Sequence, residues 1–387
     1  MLIALAIIIS LSLIIFFHEL GHFLIGRLFK IKVEEFGFGY PPRLFGLTKV
    51  GGKTKFFFGR REPKKEHNTI YSFNWIPFGG FNRLKGEEAG GKKEADSFSA
   101  KPWWQRLLVT LSGAGMNVVL AIILLSATSA LGSYQEITTE TLNSHLIIKD
   151  VSIRVLTVAP GSPAALSGLK IGDSLISLDK NKFGDIPDLQ AYFKSKVNQP
   201  VDLQIKRGST SLNIMVRPKL AREIFNDPTL EGGAIGVVIA KVGRVYYPIP
   251  SALWNGLSKT FLLLGSIVKG FYLFFKELIF HQKMIAEAAG VVGLASMTAE
   301  AARLGIIYLM QFVATISLLI AITQLIPFPA LDGGRGVFFL IEGIFRKPVK
   351  AQIENAVNNV GFTLLLILMI YVTYKDVLRL GVHWFHN

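Results

Sequence analysis

Residues 1–25 are apolar almost without interruption, and the only side chains among them that can ionise near neutral pH are His18, Glu19 and His22. A run of that length crosses a bilayer as a helix at about 1.5 Å per residue. It has no basic leading segment and no small-residue cleavage site before Arg27, so it reads as a retained helix and not as a secretory signal peptide. Apolar stretches at 107–131, 305–326 and 356–374 read as three further spans, the first of these returning and the next stopping against Pro327 and Pro329. Residues 252–280 are also apolar, but Lys259, Lys269, Lys276 and Glu277 fall within one arc of about 100° on a helical wheel. That pattern predicts a helix lying along the interface or packed beside the bundle, not a simple span. Half of the 387 residues are hydrophobic and only 18% are charged, which excludes a disordered chain and a set of soluble domains. Cysteine is absent, so no disulfide scaffold is possible and any metal must be held by His, Asp or Glu.

Charge sets the expected direction of threading. Nothing basic precedes the first span, whereas Arg27, Lys30 and Lys32 follow it, and basic residues outnumber acidic ones two to one over 27–103. The positive-inside rule places this loop in the cytoplasm and the N-terminus outside, with Arg346, Lys347 and Lys350 on the cytoplasmic side and residues 133–250 outside. The net charge of +15 is read as topology and contact with anionic lipid. No basic element interleaved with aromatics stands out, so no nucleic-acid partner is expected.

The inner end of the first span reads His18-Glu19-Leu20-Gly21-His22. Two histidines at i and i+4 lie one above the other on a helix face and can converge on a tetrahedral metal ion, zinc being the expected one. Glu19, between them, is placed to take the proton from a metal-activated water as it attacks a carbonyl. Three ionisable groups in an apolar helix are costly and point to function. A catalytic zinc needs a third protein ligand, and the only acidic residue close to the inner end of the third span is Asp332. Two prolines and two glycines surround it in Pro327-Phe328-Pro329-Ala330-Leu331-Asp332-Gly333-Gly334, which predicts an unwound stretch tolerated only inside protein or beside a wet cavity. Three passes deliver His18, His22 and Asp332 to one depth, whereas a lone extra span at 252–280 would put Asp332 on the wrong side.

Taken together, the His-Glu-x-x-His of the first span, the later Leu-Asp-Gly after Pro-x-Pro and the intervening domain resemble the bacterial site-2 proteases, of the regulator-of-sigma-E protease (RseP) type. The resemblance covers nearly the whole chain. It implies that His18, His22 and Asp332 bind Zn2+, that Glu19 is the general acid/base, and that single-span membrane proteins such as anti-sigma factors or signal-peptide remnants are cut within the bilayer. Gln324 stands where the family usually has an asparagine that holds the substrate backbone. Peptide hydrolysis in a membrane requires the substrate helix to unwind, and an edge strand could pair with the freed chain. Residues 33–39, 54–59 and 71–84 read as apolar strands that dip into the membrane, and 79–87, including Gly79, Gly80 and Phe81, is similar to the closing motif of the family's β-element. In span two, Gly113 and Asn117 are similar to a Gly-x-x-x-Asn motif implicated in positioning substrate or stabilising the catalytic centre.

Residues 151–220 alternate strand patterns at 153–158, 174–178, 201–205 and 211–216 around a helix at 187–196, and 160–173 resembles the signature of a PDZ domain, a fold that adds a peptide to a sheet edge. Gly233–Val237 is a candidate carboxylate loop. The expected architecture is an α-helical polytopic membrane protein of the bacterial cytoplasmic membrane, with four transmembrane helices, a cytoplasmic-side membrane-associated β-element and one inserted extracytoplasmic PDZ domain (α+β). Its expected segments are 1–26 (helix one), 27–103 (β-element), 104–132 (helix two), 145–240 (PDZ domain and flanks), 250–304 (interfacial helices), 305–336 (helix three) and 356–380 (helix four). A membrane hydrolase of other amides or esters, or a non-catalytic PDZ scaffold, remain alternatives; an intact Glu19 argues against the scaffold.

Overall fold

A computed structural model describes residues 2–59, 68–87, 94–137, 146–208, 210–280 and 290–385. In chain order the elements are α1 (Leu2–Leu28), β1 (Val33–Val50), β2 (Lys53–Phe58), β3 (Ile70–Leu84), α2 (Trp103–Leu131), β4 (Ser133–Glu136), β5 (Ile147–Val158), α3 (Pro163–Leu166), β6 (Ser174–Leu178), α4 (Ile186–Ser195), β7 (Val201–Arg207), β8 (Thr210–Val216), β9 (Lys219–Leu220), α5 (Ala221–Phe225), β10 (Gly233–Ala234), β11 (Val237–Tyr246), α6 (Ile249–Phe280), α7 (Val291–Leu304), α8 (Ile306–Leu325), α9 (Asp332–Phe345) and α10 (Ala351–Phe385). They form two compact units, one of residues 1–127 with 253–387 and one of 128–252.

The first unit is built on α1, α2 and α8, which pack through Ile14, Leu120, Ala121, Leu124, Val313, Ala314 and Leu318. Small residues let the backbones approach: a Cβ at Gly21 would come within 2.7 Å of the Ser112 carbonyl carbon, and Ala121 and Ala314 are fully buried. Among the described residues, five helices are long and apolar enough to cross a membrane: Ile3–Leu28, Trp103–Leu131, Ile249–Glu277, Ile306–Leu325 and Ala351–Leu378. The four-span expectation therefore meets a fifth candidate, the 252–280 stretch. Its charges are few enough to leave a long apolar window, and Leu263, Leu264 and Ile267 pack against the α1–α2–α8 core. The last helix also starts earlier than its apolar run. Asn358, polar and near its start, accepts the Ala330 N–H at 3.3 Å and so has a partner inside the unit.

The sheet follows α1. Its strand order is β2-β1-β3, all antiparallel. Both β1 and β3 are long and bent, so β1 pairs with β3 in three runs: Val33–Phe38 beside Gly80–Leu84, Glu35–Phe38 beside Ile70–Phe73, and Phe45–Leu47 beside Tyr71–Phe73. The stretch Gly80–Leu84 forms one rim of this sheet, and no strand lies on its far side among the described residues. The sheet is fixed to α1 by Ser12, whose hydroxyl donates to Pro77 O at 2.8 Å and accepts from Gly79 N–H at 3.1 Å. Gly79 (φ 73°) and Gly80 lie flat on that helix, where a Cβ at Gly79 would meet Ile15 at 2.5 Å. Phe56, Phe58, Phe73, Trp75 and Phe78 are exposed, while Glu35, Arg43 and Asn74 are buried, with Arg43 Nε donating to Glu35 Oε1 at 2.8 Å.

The second unit is a six-stranded antiparallel sheet of order β4-β11-β5-β6-β7-β8, closed by α4 over a core of Val155, Leu178, Leu189, Phe193, Leu203 and Ile205. The β6 bounds match the alternation at 174–178. Beside β11, β4 pairs only with Val242–Val245, so the edge Val237–Ala240 has no strand on that side among the described residues. A groove of about 530 Å³ lies there, lined by Leu189 and Phe193 of α4 with Gly236, Val237 and Ile239.

Candidate metal centre

The centre is assembled from α1 and the start of α9. His18 and His22 stack at i and i+4 with Nε2 atoms 3.2 Å apart, and Asp332 Oδ2 lies 3.1 Å from His18 Nε2 and 3.5 Å from His22 Nε2. A tetrahedral zinc with ligands at about 2.0–2.1 Å has neighbouring ligand atoms about 3.3 Å apart, so these three atoms lie at the corners of such a site. Asp332 Oδ2 is buried without a hydrogen-bond partner despite two imidazole nitrogens beside it. Buried polar atoms are normally satisfied, and a cation shared by the three groups would satisfy this one. The residues fit the metal. Among the described residues this is the one His/Cys/Asp/Glu group close enough to hold a metal ion.

Sequence explains why Asp332 arrives here. After α8, Pro327 and Pro329 cannot continue the helix, and Ile326–Leu331 is non-helical until Asp332 opens α9. The turn places Ala330 in the left-handed region (φ 73°), a conformation costing about 1–3 kcal/mol for a residue with a side chain. Asn358 holds it through the Ala330 N–H. Gly333 and Gly334 permit α9 to start against the preceding turn, where Cβ atoms would meet the Leu325 carbonyl carbon at 2.6 Å and the Phe328 carbonyl carbon at 2.7 Å.

Helix α2 covers the imidazoles. Gly113 leaves room for them, since a Cβ there would lie 2.5 Å from His22 Nε2 and 2.6 Å from His18 Cε1. The ring N–H of His22 at Nδ1 donates to Val109 O at 2.7 Å, which leaves the Nε2 lone pair aimed at the cluster. On the other ring, His18 Nδ1 faces the Asn117 carboxamide at 3.4 Å.

A cavity of about 390 Å³ opens beside the three ligand atoms, and Glu19 lines it together with Tyr40, Asn82, Glu87, Gln324 and Arg335. Of the other residues singled out from sequence, Asn117 and Gln324 line this cavity, and Gln324 Oε1 is buried without a partner. Gly79, Gly80 and Phe81 do not line it. The two glycines lie on α1, and the Phe81 ring covers Gly37, while Asn82 and Leu84 of the same rim reach the cavity. Arg335 was not foreseen. It stands one turn past Asp332 on α9 and donates to Glu87 Oε1 at 2.8 Å and to Glu87 O at 3.1 Å, joining α9 to the chain leaving β3. Its spacing from Asp332 was the available signal. At the base of β3, hydrogen bonds to Asp96 and Glu94 keep Lys85 charged above the usual lysine range, and Lys85 holds the Asp96 carboxyl below the usual carboxylate range.

Comparison with known proteins bears on the class. The model of peptidase family M50 matches residues 6–368. A Clostridium perfringens protein provisionally named a zinc metalloprotease is 33% identical over 372 residues, covering 96% of this chain and 97% of its own. The zinc metalloprotease RasP of Geobacillus kaustophilus is 25% identical, with 96% of each chain covered. Among solved structures, a PDZ domain of an SdrC-like protein from Listeria monocytogenes aligns with 24% of this chain and 92% of its own, at 22% identity and a TM-score of 0.21. The chain belongs to peptidase family M50, the site-2 protease family, and is a metalloprotease.

Proposed function

We propose that the protein is an intramembrane zinc endopeptidase that cuts single-span membrane proteins within their apolar segments, with His18, His22 and Asp332 as zinc ligands and Glu19 as the general acid/base. The observation that carries this reading is the triangle of Nε2, Nε2 and Oδ2 atoms at 3.1–3.5 Å beside a cavity that Glu19 lines. Zinc bound there supplies Lewis acidity, lowering the pKa of water and polarising a carbonyl. Glu19 takes the proton of the attacking water and returns it to the leaving amine. The rim Gly80–Leu84 offers an unpaired strand edge whose Asn82 and Leu84 reach the cavity, suited to holding an unwound substrate by backbone hydrogen bonds. Gln324 supplies a further polar contact to that backbone from the end of α8. The exposed aromatics of the sheet, with Glu35 and Arg43 paired in its interior, suit immersion in a lipid bilayer.

In this reading α1, α2, α8 and α10 cross the bacterial cytoplasmic membrane, with the N-terminus and the second unit outside. Helix α6 adds no net crossing. Near its start it packs Gly256 against Ser126, which lies about 20 Å along α2 from Gly113. Helix α7 begins with Gly293 N–H donating to Asp376, about 27 Å along α10 from Asn358. Both starts lie at the end of the bundle away from the ligands, so no net crossing is assigned between them. The second unit, read as a PDZ domain, takes an extended peptide on the Val237–Ala240 edge and recruits substrates or filters them by size. No nucleic-acid partner is assigned.

The test is Glu19→Gln in the full chain purified in detergent, incubated with single-span model peptides. The expected outcome is retained zinc with cleavage reduced by about 10²-fold or more, and cuts by the parent confined to the apolar segment and blocked by a chelator. Unchanged cleavage, or cuts restricted to soluble flanks, would overturn the reading.

A further inference from the structure

Asn117 is completely buried on α2, one turn beyond Gly113. Its own carbonyl accepts from the Ser317 hydroxyl at 2.9 Å, so the packing of α2 on α8 fixes where its side chain can point. That side chain faces His18 Nδ1 at 3.4 Å, and its Oδ1 has no hydrogen-bond partner. A neutral imidazole that directs its Nε2 lone pair at the ligand cluster carries its hydrogen on Nδ1, and a buried N–H requires an acceptor. His22 has one in Val109 O. The corresponding group beside His18 is the carboxamide of Asn117. The nitrogen and oxygen of a carboxamide are interchangeable in shape, and the hydrogen-bond network decides which is which. With the amide turned so that Oδ1 faces His18, a single rotation supplies the ring N–H with an acceptor and relieves the unpartnered oxygen.

We propose that Asn117 is a positioning residue for the metal centre: through Oδ1 it accepts the Nδ1–H of His18 and holds that ring with Nε2 toward His22 and Asp332. Asn117 then acts on the ligand and not on the substrate, and the two histidines are oriented by two different acceptors of one helix, a backbone carbonyl and a side-chain amide. The proposal rests on the metal reading above. It makes a separate claim, because zinc could bind this triad with Asn117 merely filling space or contacting substrate.

The test measures zinc affinity, by competition with a chelator, on the full chain in detergent. Asn117→Leu keeps the volume and removes the acceptor, and is expected to weaken zinc binding by about 10- to 100-fold. Asn117→Asp keeps an acceptor at the same reach and is expected to stay within a few-fold of the parent. A second measurement needs no variant: nitrogen NMR of histidine-labelled parent protein should show His18 as the Nδ1–H tautomer. Parental zinc affinity in Asn117→Leu with a raised KM for a single-span peptide, equal weakening in the Leu and Asp variants, or an Nε2–H tautomer for His18 would each overturn the proposal. A parent chain with no zinc affinity would instead remove the metal reading on which it stands.

Discussion

Both units have apolar cores, but they differ in how many polar groups they bury and how many large apolar ones they expose. The second encloses Val155, Leu178, Leu203 and Ile205 and turns most of its charges outward. The first buries His18, Glu35, Arg43, Asn74, Asn117 and Ser317, and exposes Phe58, Trp75, Phe362, Ile367 and Ile370. In water, removing apolar surface drives folding, so the interior is apolar. In hydrocarbon that drive is absent, and polar groups gain by finding one another and by letting backbones approach. The candidate metal centre sits in the unit that buries ionisable side chains beside its apolar helix core, where those groups find partners close by.

This contrast can be broken experimentally, beginning where the effect should be largest. Gly113→Val places carbon where the imidazoles lie, since even a Cβ would be 2.5 Å from His22 Nε2. The expected result is loss of bound zinc and a drop in peptide cleavage of about 10²-fold or more, read by metal analysis and turnover, with amide exchange in the second unit unchanged. Retained zinc would mean that this interior adapts to added volume far better than its close packing indicates. Leu203→Ala should do the converse. It empties a fully buried site in the second unit and should cost that unit about 2–5 kcal/mol. Amide exchange across β6–β8 should then accelerate while zinc content stays at the parental level.

The smallest effect is a pH dependence confined to the second unit. Asp179 accepts from the Tyr192 hydroxyl at 2.7 Å and from the Asp202 N–H at 2.8 Å, and these bonds hold its carboxyl below the usual carboxylate range. A carboxyl lowered in the folded state stabilises the fold above its unfolded pKa of about 3.9. That contribution is lost as pH falls through the lower folded value. The site is solvent-screened, so Tyr192→Phe should remove no more than a few tenths of a kcal/mol. Amide exchange near α4, followed from about pH 6 to 3, should show the parent's protection falling more steeply than the variant's.

Local spacing was legible in the sequence. His18 and His22 declare themselves through i, i+4 geometry, Asp332 through the prolines and glycines that break the chain around it, and β6 through alternation at 174–178. Less visible was anything that depends on chain returning from far away. Strand β1 continues through Pro41 and Pro42, where prolines read as a stop, because partners on both sides carry it to Val50. The 252–280 helix carries a charge pattern that points to the interface and a length that permits a span, and composition alone does not rank the two. Arg335 and Glu87 are 248 residues apart, and no window of sequence brings them together. Gly79 and Gly80 were read through their likeness to the closing motif of the β-element, and the close approach to α1 that calls for glycine there was not visible in the sequence.

The ligand cluster joins residues from opposite ends of the chain. His18 and His22 are synthesised early, yet the carboxylate that completes their set is translated only after the whole second unit and α8. A nascent chain can therefore display the histidine pair long before it can form the full triad. In the proposed reading, a protease for membrane segments therefore cannot complete its ligand set until every element but α9 and α10 has been made.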